Sequence, residues 1–369
     1  MPRLTQTTTA TAPRVEFVVS VPLDLMNAMF FTGLVPQIEG VDGWPEQVRR
    51  EMAPDLLAEL DFLCNYPAGD PAVMGILGEN LFAHRDTWAG VDQLLRYIGA
   101  MPAGVGESAS SPGIQGLVYH ATFRYLDEPE RQPYEGLPPR EAIEGRVRSL
   151  GDRDAAAVMA LYDRPEELRQ RMVRLVQRFY EEHYRHDLPR RMACLERSAA
   201  RHRNEPVTDV VALTKKLTGR PKACIGDVCA GPFQSLVFVP SLDMGPYISC
   251  ADLGSVHGLY YHCEPEPAGE APEAAAETAR LARIYRALAD EQRLRILGML
   301  REREMYAQEI VERTGLHQPV VSRHLTFMKA VGLVLARRQN NMKFFSLNPA
   351  MREELSGTLE LFAGAGQRE

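Results

Sequence analysis

Residues 307–347 read AQEIVERTGLHQPVVSRHLTFMKAVGLVLARRQNNMKFFSL. Three local signals follow one another in this stretch. AQEIVER (307–313) has the apolar spacing of a short helix. Thr314-Gly315 ends it, because glycine accepts the left-handed backbone that a tight turn needs. QPVVSRHLTFMKA (318–330) then forms a second helix, with Pro319 in its first turn, where a missing N–H costs nothing. Val320, Val321, Leu325 and Met328 make its apolar face, expected to pack on the preceding helix. Gln318, Ser322, Arg323 and Thr326 make its polar face, with His317 just ahead. Gly332-Leu333-Val334 opens a strand, residues 337–343 (RRQNNMK) make a basic polar turn, and residues 344–347 (FFSL) return. The pattern is two helices joined by a turn, followed by a β-hairpin wing.

Reading outward, Thr278–Leu288 is amphipathic, with Leu281, Ile284, Tyr285 and Leu288 on one face. Asp290 is placed to cap the next helix, EQRLRILGMLRER (291–303), whose Leu294, Leu297 and Leu300 fall along one stripe. A helix such as 318–330 enters the major groove of DNA with its N-terminal residues at the base edges. Gln pairs well with adenine and Arg with guanine. The expected DNA-contacting residues are therefore His317, Gln318, Ser322, Arg323, His324 and Thr326. Arg337, Arg338 and Lys343 of the wing would neutralise phosphates. His317 and His324 read as DNA-contact or packing residues rather than metal ligands.

The charge is partitioned to match. The 369 residues carry a net −7, yet residues 277–349 carry +6 and residues 1–276 carry −11. An acidic body joined to a basic module is a nucleic-acid signal that the sum conceals.

Residues 288–347, from LADEQRLRIL through VVSRHLTFMKAVGLV to the wing, resemble the ArsR-type winged helix-turn-helix repressors. The resemblance covers about a fifth of the chain. It implies sequence-specific binding to double-stranded DNA and control of transcription, most often repression. It implies a homodimer formed through the first and last helices, here Thr278–Leu288 and Ala350–Phe362. Two-fold symmetry then implies an operator with inverted half-sites about one helical turn apart. The usual metal sites of the family are not matched. Where one of them has Cys-x-Cys, this chain has Met305, Tyr306 and Ala307, and the last helix carries Glu353, Glu354 and Glu360 but no His. No cofactor is expected, and the signal is expected to enter through the residues before the linker. The segment VFVPSLDMGPYIS (237–249) distantly resembles the end of an N-terminal domain found in some long members, which says nothing of the ligand.

The expected fold class is α+β: a mostly helical N-terminal body with a small β region, then the winged helix. Residues 1–13 read as a frayed tail without an apolar signal core, 14–263 as a sensor or effector domain, 264–276 (EPEPAGEAPEAAA) as a linker, and 277–363 as the DNA-binding and dimerisation domain. Within the body, residues 15–21 read as a strand ended by Pro22, and residues 23–97 as helices punctuated by prolines. Residues 102–113 read as a flexible loop, with helical stretches around 114–126 and 139–150. Residues 165–203 read as a long helix broken or kinked at Pro189. Residues 207–263 read as strand-like runs, clearest at Leu236–Val239 and Gly258–Tyr261.

Cys224, Cys229, Cys250, His257, His262 and Cys263 are candidate metal ligands or redox thiols, with buried packing as the other reading. Six cysteines without a secretion signal suit reduced thiols in a cytosol. Tyr180, His183, Tyr184 and His186 share the long helix, and Trp44, Trp88, Phe30 and Phe31 are candidates for lining a small-molecule pocket or for plain core. The sequence lacks a nucleophile elbow, a phosphate loop, a dinucleotide fingerprint and a His-Glu-x-x-His zinc motif, so no enzyme activity is expected. Two rivals from other classes stay open: a protein-interaction module that uses the winged helix as a scaffold, and an enzyme fused to a regulatory DNA-binding domain.

Overall fold

The computed structural model describes residues 13–41, 43–67, 72–108, 111–123, 140–149, 155–203, 209–218, 233–253, 255–263, 272–339, 342–351 and 355. The expected tail and the expected dimerisation helix beyond Ala350 fall largely outside them. The body starts with strand β1 (Arg14–Phe17) and helices α1 (Val21–Leu34), α2 (Trp44–Glu51), α3 (Pro54–Leu63), α4 (Val73–Leu81) and α5 (Val91–Ala100). A small hairpin, β2 (Gly106–Ser108) and β3 (Ser111–Pro112), lies where a flexible loop was expected. Helices α6 (Ile114–Phe123), α7 (Arg140–Ser149), α8 (Ala155–Tyr162), α9 (Pro165–Phe179), α10 (Leu188–Arg203) and α11 (Val210–Thr218) follow. Strands β4 (Ser235–Ser241), β5 (Ser249–Leu253) and β6 (Val256–His262) complete the body. No helix among the described residues is long and apolar enough to cross a membrane.

The four-stranded sheet has the order β1-β4-β6-β5, with β1, β4 and β6 parallel and β5 antiparallel to β6. Its centre is apolar without a polar phase because both faces are covered. Val237 and Val239 of β4 join the large core with α1, α3, α4 and α9, while Leu236 and Phe238 join a smaller core with Leu195 and Ala199 of α10 and Leu213 of α11. The long pattern 165–203 is divided: α9 buries Leu168, Met172, Leu175, Val176 and Phe179, and a π-helical turn at Tyr180–Tyr184 separates it from α10. Pro189 opens α10 from its first turn instead of kinking a continuous helix. Pro22 likewise opens α1. Helix α11 corrects the reading of 207–263 as strand-like at its start: Leu213 and Thr214 are buried on a helix although Val210 and Val211 favour strands.

One buried polar knot ties the body together. Arg191 of α10 donates from Nε to Asp24 of α1 at 2.8 Å and from both terminal nitrogens to Asp243 after β4. Tyr184 donates to the same Asp24 oxygen at 2.6 Å. The guanidinium also lies 4.7 Å from the Trp44 ring and 4.8 Å from the Tyr184 ring. Arg191 is fully buried, and the two carboxylates hold it protonated despite the burial that opposes its charge.

The C-terminal module has its own core. It comprises α12 (Pro272–Leu288), α13 (Glu291–Glu302), β7 (Met305–Tyr306), α14 (Ala307–Thr314), α15 (Gln318–Ala330), β8 (Val334–Gln339) and β9 (Met342–Leu347), its strands in the order β7-β9-β8. α12 begins inside the segment read as linker, where Pro272 and a run of alanines suit a helix start. Asp290 caps α13 by accepting the Arg293 backbone N–H at 2.9 Å. The α13 stripe differs from the reading: Ile296 and Leu300 are buried with Arg293, whereas Leu294 is 50% exposed. Gly315 takes φ +68° at the end of α14, as the turn requires. Asn348 closes the base of the wing, its amide donating to the Gly332 carbonyl at 2.8 Å.

Candidate nucleic-acid interface

The start of α15 is presented outward. Gly315 turns the chain, His317 sits in an extended conformation at the N-cap, and the helix starts at Gln318 with Pro319 in its first turn. Val321, Leu325 and Met328 are buried in the module's core and fix the rotation of the helix. That rotation leaves His317, Gln318, Ser322 and Arg323 exposed on one surface. The positive end of the helix dipole lies at the same end, which favours an anionic partner.

The wing adds cationic groups. β8 and β9 pair antiparallel with Arg337 opposite Phe344 and Arg338 opposite Lys343. The Arg337 guanidinium lies 5.0 Å from the Phe344 ring centroid, donates to Gln339 at 2.6 Å and pairs with Glu304. That pairing holds the Glu304 carboxyl below its ordinary range. Lys343 is exposed, its ammonium 5.5 Å from the Phe345 ring. The Arg338 side chain lies outside what the structure describes.

The second half of α15 meets the N-terminal body, which sequence reasoning missed. Phe327 is fully buried: an Arg293 guanidinium lies 5.0 Å from its ring, and the body's Gly40 lies against it. Gly40 has φ +82°, and a Cβ there would come within 2.5 Å of the Phe327 ring, so only glycine allows this approach. Beside it, Glu39 accepts from Arg293 at 2.5 Å and lies 3.7 Å from Arg323. Arg293 in turn donates to the Arg286 carbonyl at 3.2 Å. The body's acidic charge is thus applied directly to an expected base-reading arginine.

Two expected contact residues are placed in this seam instead of on the open surface. His324 is buried, and that burial pushes its pKa down; Asp290 and Glu39 pull it up, while Arg293 and Arg323 push it further down. Thr326 is half-buried and faces a cavity in the body. The structure therefore brings together His317, Gln318, Ser322 and Arg323, and separates His324 and Thr326 from them.

The other candidates scatter. Cys224 and Cys229 lie outside the described residues. Cys250 is half-buried on β5, and Cys263 belongs to the smaller core, its thiol pushed well up by burial and then by the nearby Asp24 carboxylate. Among the described residues, no three His, Cys, Asp or Glu side chains converge in a way that could hold a metal ion. Trp44 packs against Phe179 and Tyr184, and Trp88 stacks on His84 with centroids 4.5 Å apart. Phe30 and Phe31 do line a cavity. Of the aromatic and imidazole set on the long helix, Tyr184 enters the Arg191 knot.

Residues 290–335 match the family described as bacterial regulatory protein, arsR family. The transcriptional activator HlyU of Vibrio cholerae is 32% identical over 84 residues, which are 23% of this chain and 75% of HlyU. The HTH-type transcriptional regulator Rv0324 of Mycobacterium tuberculosis is 34% identical over 80 residues, 22% of this chain and 35% of that protein. The chain thus spans about a third of Rv0324's length. Among solved structures, the homodimeric winged helix-turn-helix DNA-binding domain of Mb0332 from Mycobacterium bovis is 30% identical, covering 26% of this chain and 90% of that one, with a TM-score of 0.23. With its winged helix-turn-helix at the C-terminal end, the chain belongs to the ArsR family of bacterial transcriptional regulators.

Proposed function

We propose that the protein is a sequence-specific repressor that binds an operator of inverted half-sites as a homodimer, and that the N-terminal body senses a signal and restrains the DNA-reading helix. The observation that carries this reading is the exposed set Gln318, Ser322 and Arg323 at the N-terminal end of α15, with Arg323 opposed by Glu39 of the body. Gln318 and Arg323 would read base edges while Arg337 and Lys343 hold phosphates. Glu39 competes with DNA for Arg323, so separation of body and helix raises DNA affinity and closure lowers it. The body acts without catalysis in this reading. The coupling needed is modest, since about 1–3 kcal/mol changes affinity roughly 5–150-fold.

The test is a mobility shift with DNA from upstream of the protein's own gene, run at about 50 and 200 mM salt against a scrambled duplex. Preference for the native duplex and a steep fall with salt support the reading. Equal binding to both duplexes, or none to either, would leave the winged helix as a scaffold for protein contact.

A further inference from the structure

A half-open cavity of about 360 Å³ lies between α1, α4 and the β5–β6 edge of the sheet, and Thr326 of α15 forms part of its wall. The size falls within the range of small-molecule sites. Phe30, Phe31 and Tyr247 supply aromatic surface. Among the described residues that line it, Glu79 is the one that is charged. Glu79 already has an interaction within the protein. A carboxylate nevertheless offers about four acceptor positions, so it can take a further donor. Gly78 leaves the space beside Glu79 open: a Cβ built there meets nothing within 4 Å.

Two contacts lead from this cavity to the DNA-reading helix. Thr326 is on that helix. Tyr247, also in the wall, donates to the Glu39 carbonyl at 2.7 Å, and the Glu39 carboxylate holds Arg293 and faces Arg323. A molecule in the cavity touches the body and α15 together only while the two are closed. It therefore binds the closed state better, and a ligand shifts an equilibrium only through such a difference.

We infer that this cavity is the effector site, that its ligand is a small aromatic molecule bearing one protonated amine, and that filling it clamps α15 to the body and weakens DNA binding. The inference rests on the reading of the body as a sensor and names what it senses. The test uses three compounds of one shape and different charge on the full-length protein: 1-naphthylmethylamine, 1-naphthalenemethanol and 1-naphthoate. Calorimetry should show saturable binding of the amine, about tenfold or more tighter than the carboxylate. Glu79→Gln should erase that difference. Gly78→Leu should fill the cavity and abolish binding while circular dichroism shows the helices intact. The amine should also weaken binding to the upstream duplex by roughly fivefold or more, and not in Gly78→Leu. Equal affinity for amine and carboxylate, or amine binding that survives Gly78→Leu, overturns the site. Amine binding that leaves DNA affinity unchanged overturns the clamp. Failure of the ligand-free protein to prefer its upstream duplex overturns the regulator reading while the calorimetric result on the cavity stands.

Discussion

Arg323 is asked to do two things that exclude each other: face Glu39 of the body at 3.7 Å or reach a base in DNA. Arg323→Ala removes a bidentate donor that fits guanine. It should cost about 1–3 kcal/mol of discrimination at one base pair, read by anisotropy over single-base variants of the site. Its neighbour His324 gives a pH prediction. Burial lowers its folded pKa below the unfolded value of about 6.5, so the native state favours the neutral ring. Its contribution is intact above that pH and is lost as pH falls through it toward the folded pKa. His84 and His183 shift in the same direction, so the informative quantity is a difference. Between pH 7.5 and 5, wild type should lose stability faster than His324→Asn, by up to about 1.4 kcal/mol per pH unit. Parallel pH profiles would mean that His324 titrates alike in both states.

At the scale of elements, the seam between body and α15 rests on Glu39, Gly40, Arg293 and Phe327. Glu39→Gln removes the charge from Arg323 and loosens Arg293. The Arg323–Glu39 pair is partly exposed, so its direct effect is small, and DNA affinity should rise about 2–5-fold, measured by titration of the upstream duplex at fixed salt. Weaker binding would show that Glu39 supports the reading helix instead of restraining it. The seam also marks what could be read from the sequence. The winged helix was legible because its signals are local: Asp290 as a cap, Gly315 as a turn, Pro319 in a first turn, two short strands around a polar turn. Leu294, His324 and Phe327 were misplaced or overlooked because what faces them is set elsewhere. His324 and Phe327 meet a loop almost 290 residues earlier in the chain, and no periodicity within α15 records that contact. In the body, the centre of β4 was legible as a continuous apolar run. α11 was not, since Val210 and Val211 favour strands and tertiary packing overrode them.

At the scale of the molecule, an acidic body and a basic reading module have separate cores joined at one seam. The body depends on the Arg191 knot, which joins α1, α10 and the loop after β4. Arg191→Met leaves Asp24 and Asp243 buried without their cation and should cost about 3–5 kcal/mol in urea unfolding. A loss below 1 kcal/mol would mean that the knot is replaceable by packing. The wing should contribute affinity without selectivity: Lys343→Ala should weaken binding to all duplexes alike and reduce the salt slope by about 1. Regulation in this scheme requires α15 to read DNA from its exposed N-terminal end. Footprinting of the upstream DNA with wild type and with Arg323→Ala tests this most directly. Wild type should give two protected half-sites related by a two-fold axis, about 10 base pairs apart, with protection in Arg323→Ala spread to non-native sequence. A footprint unchanged by the substitution, or none at all in wild type, would contradict it.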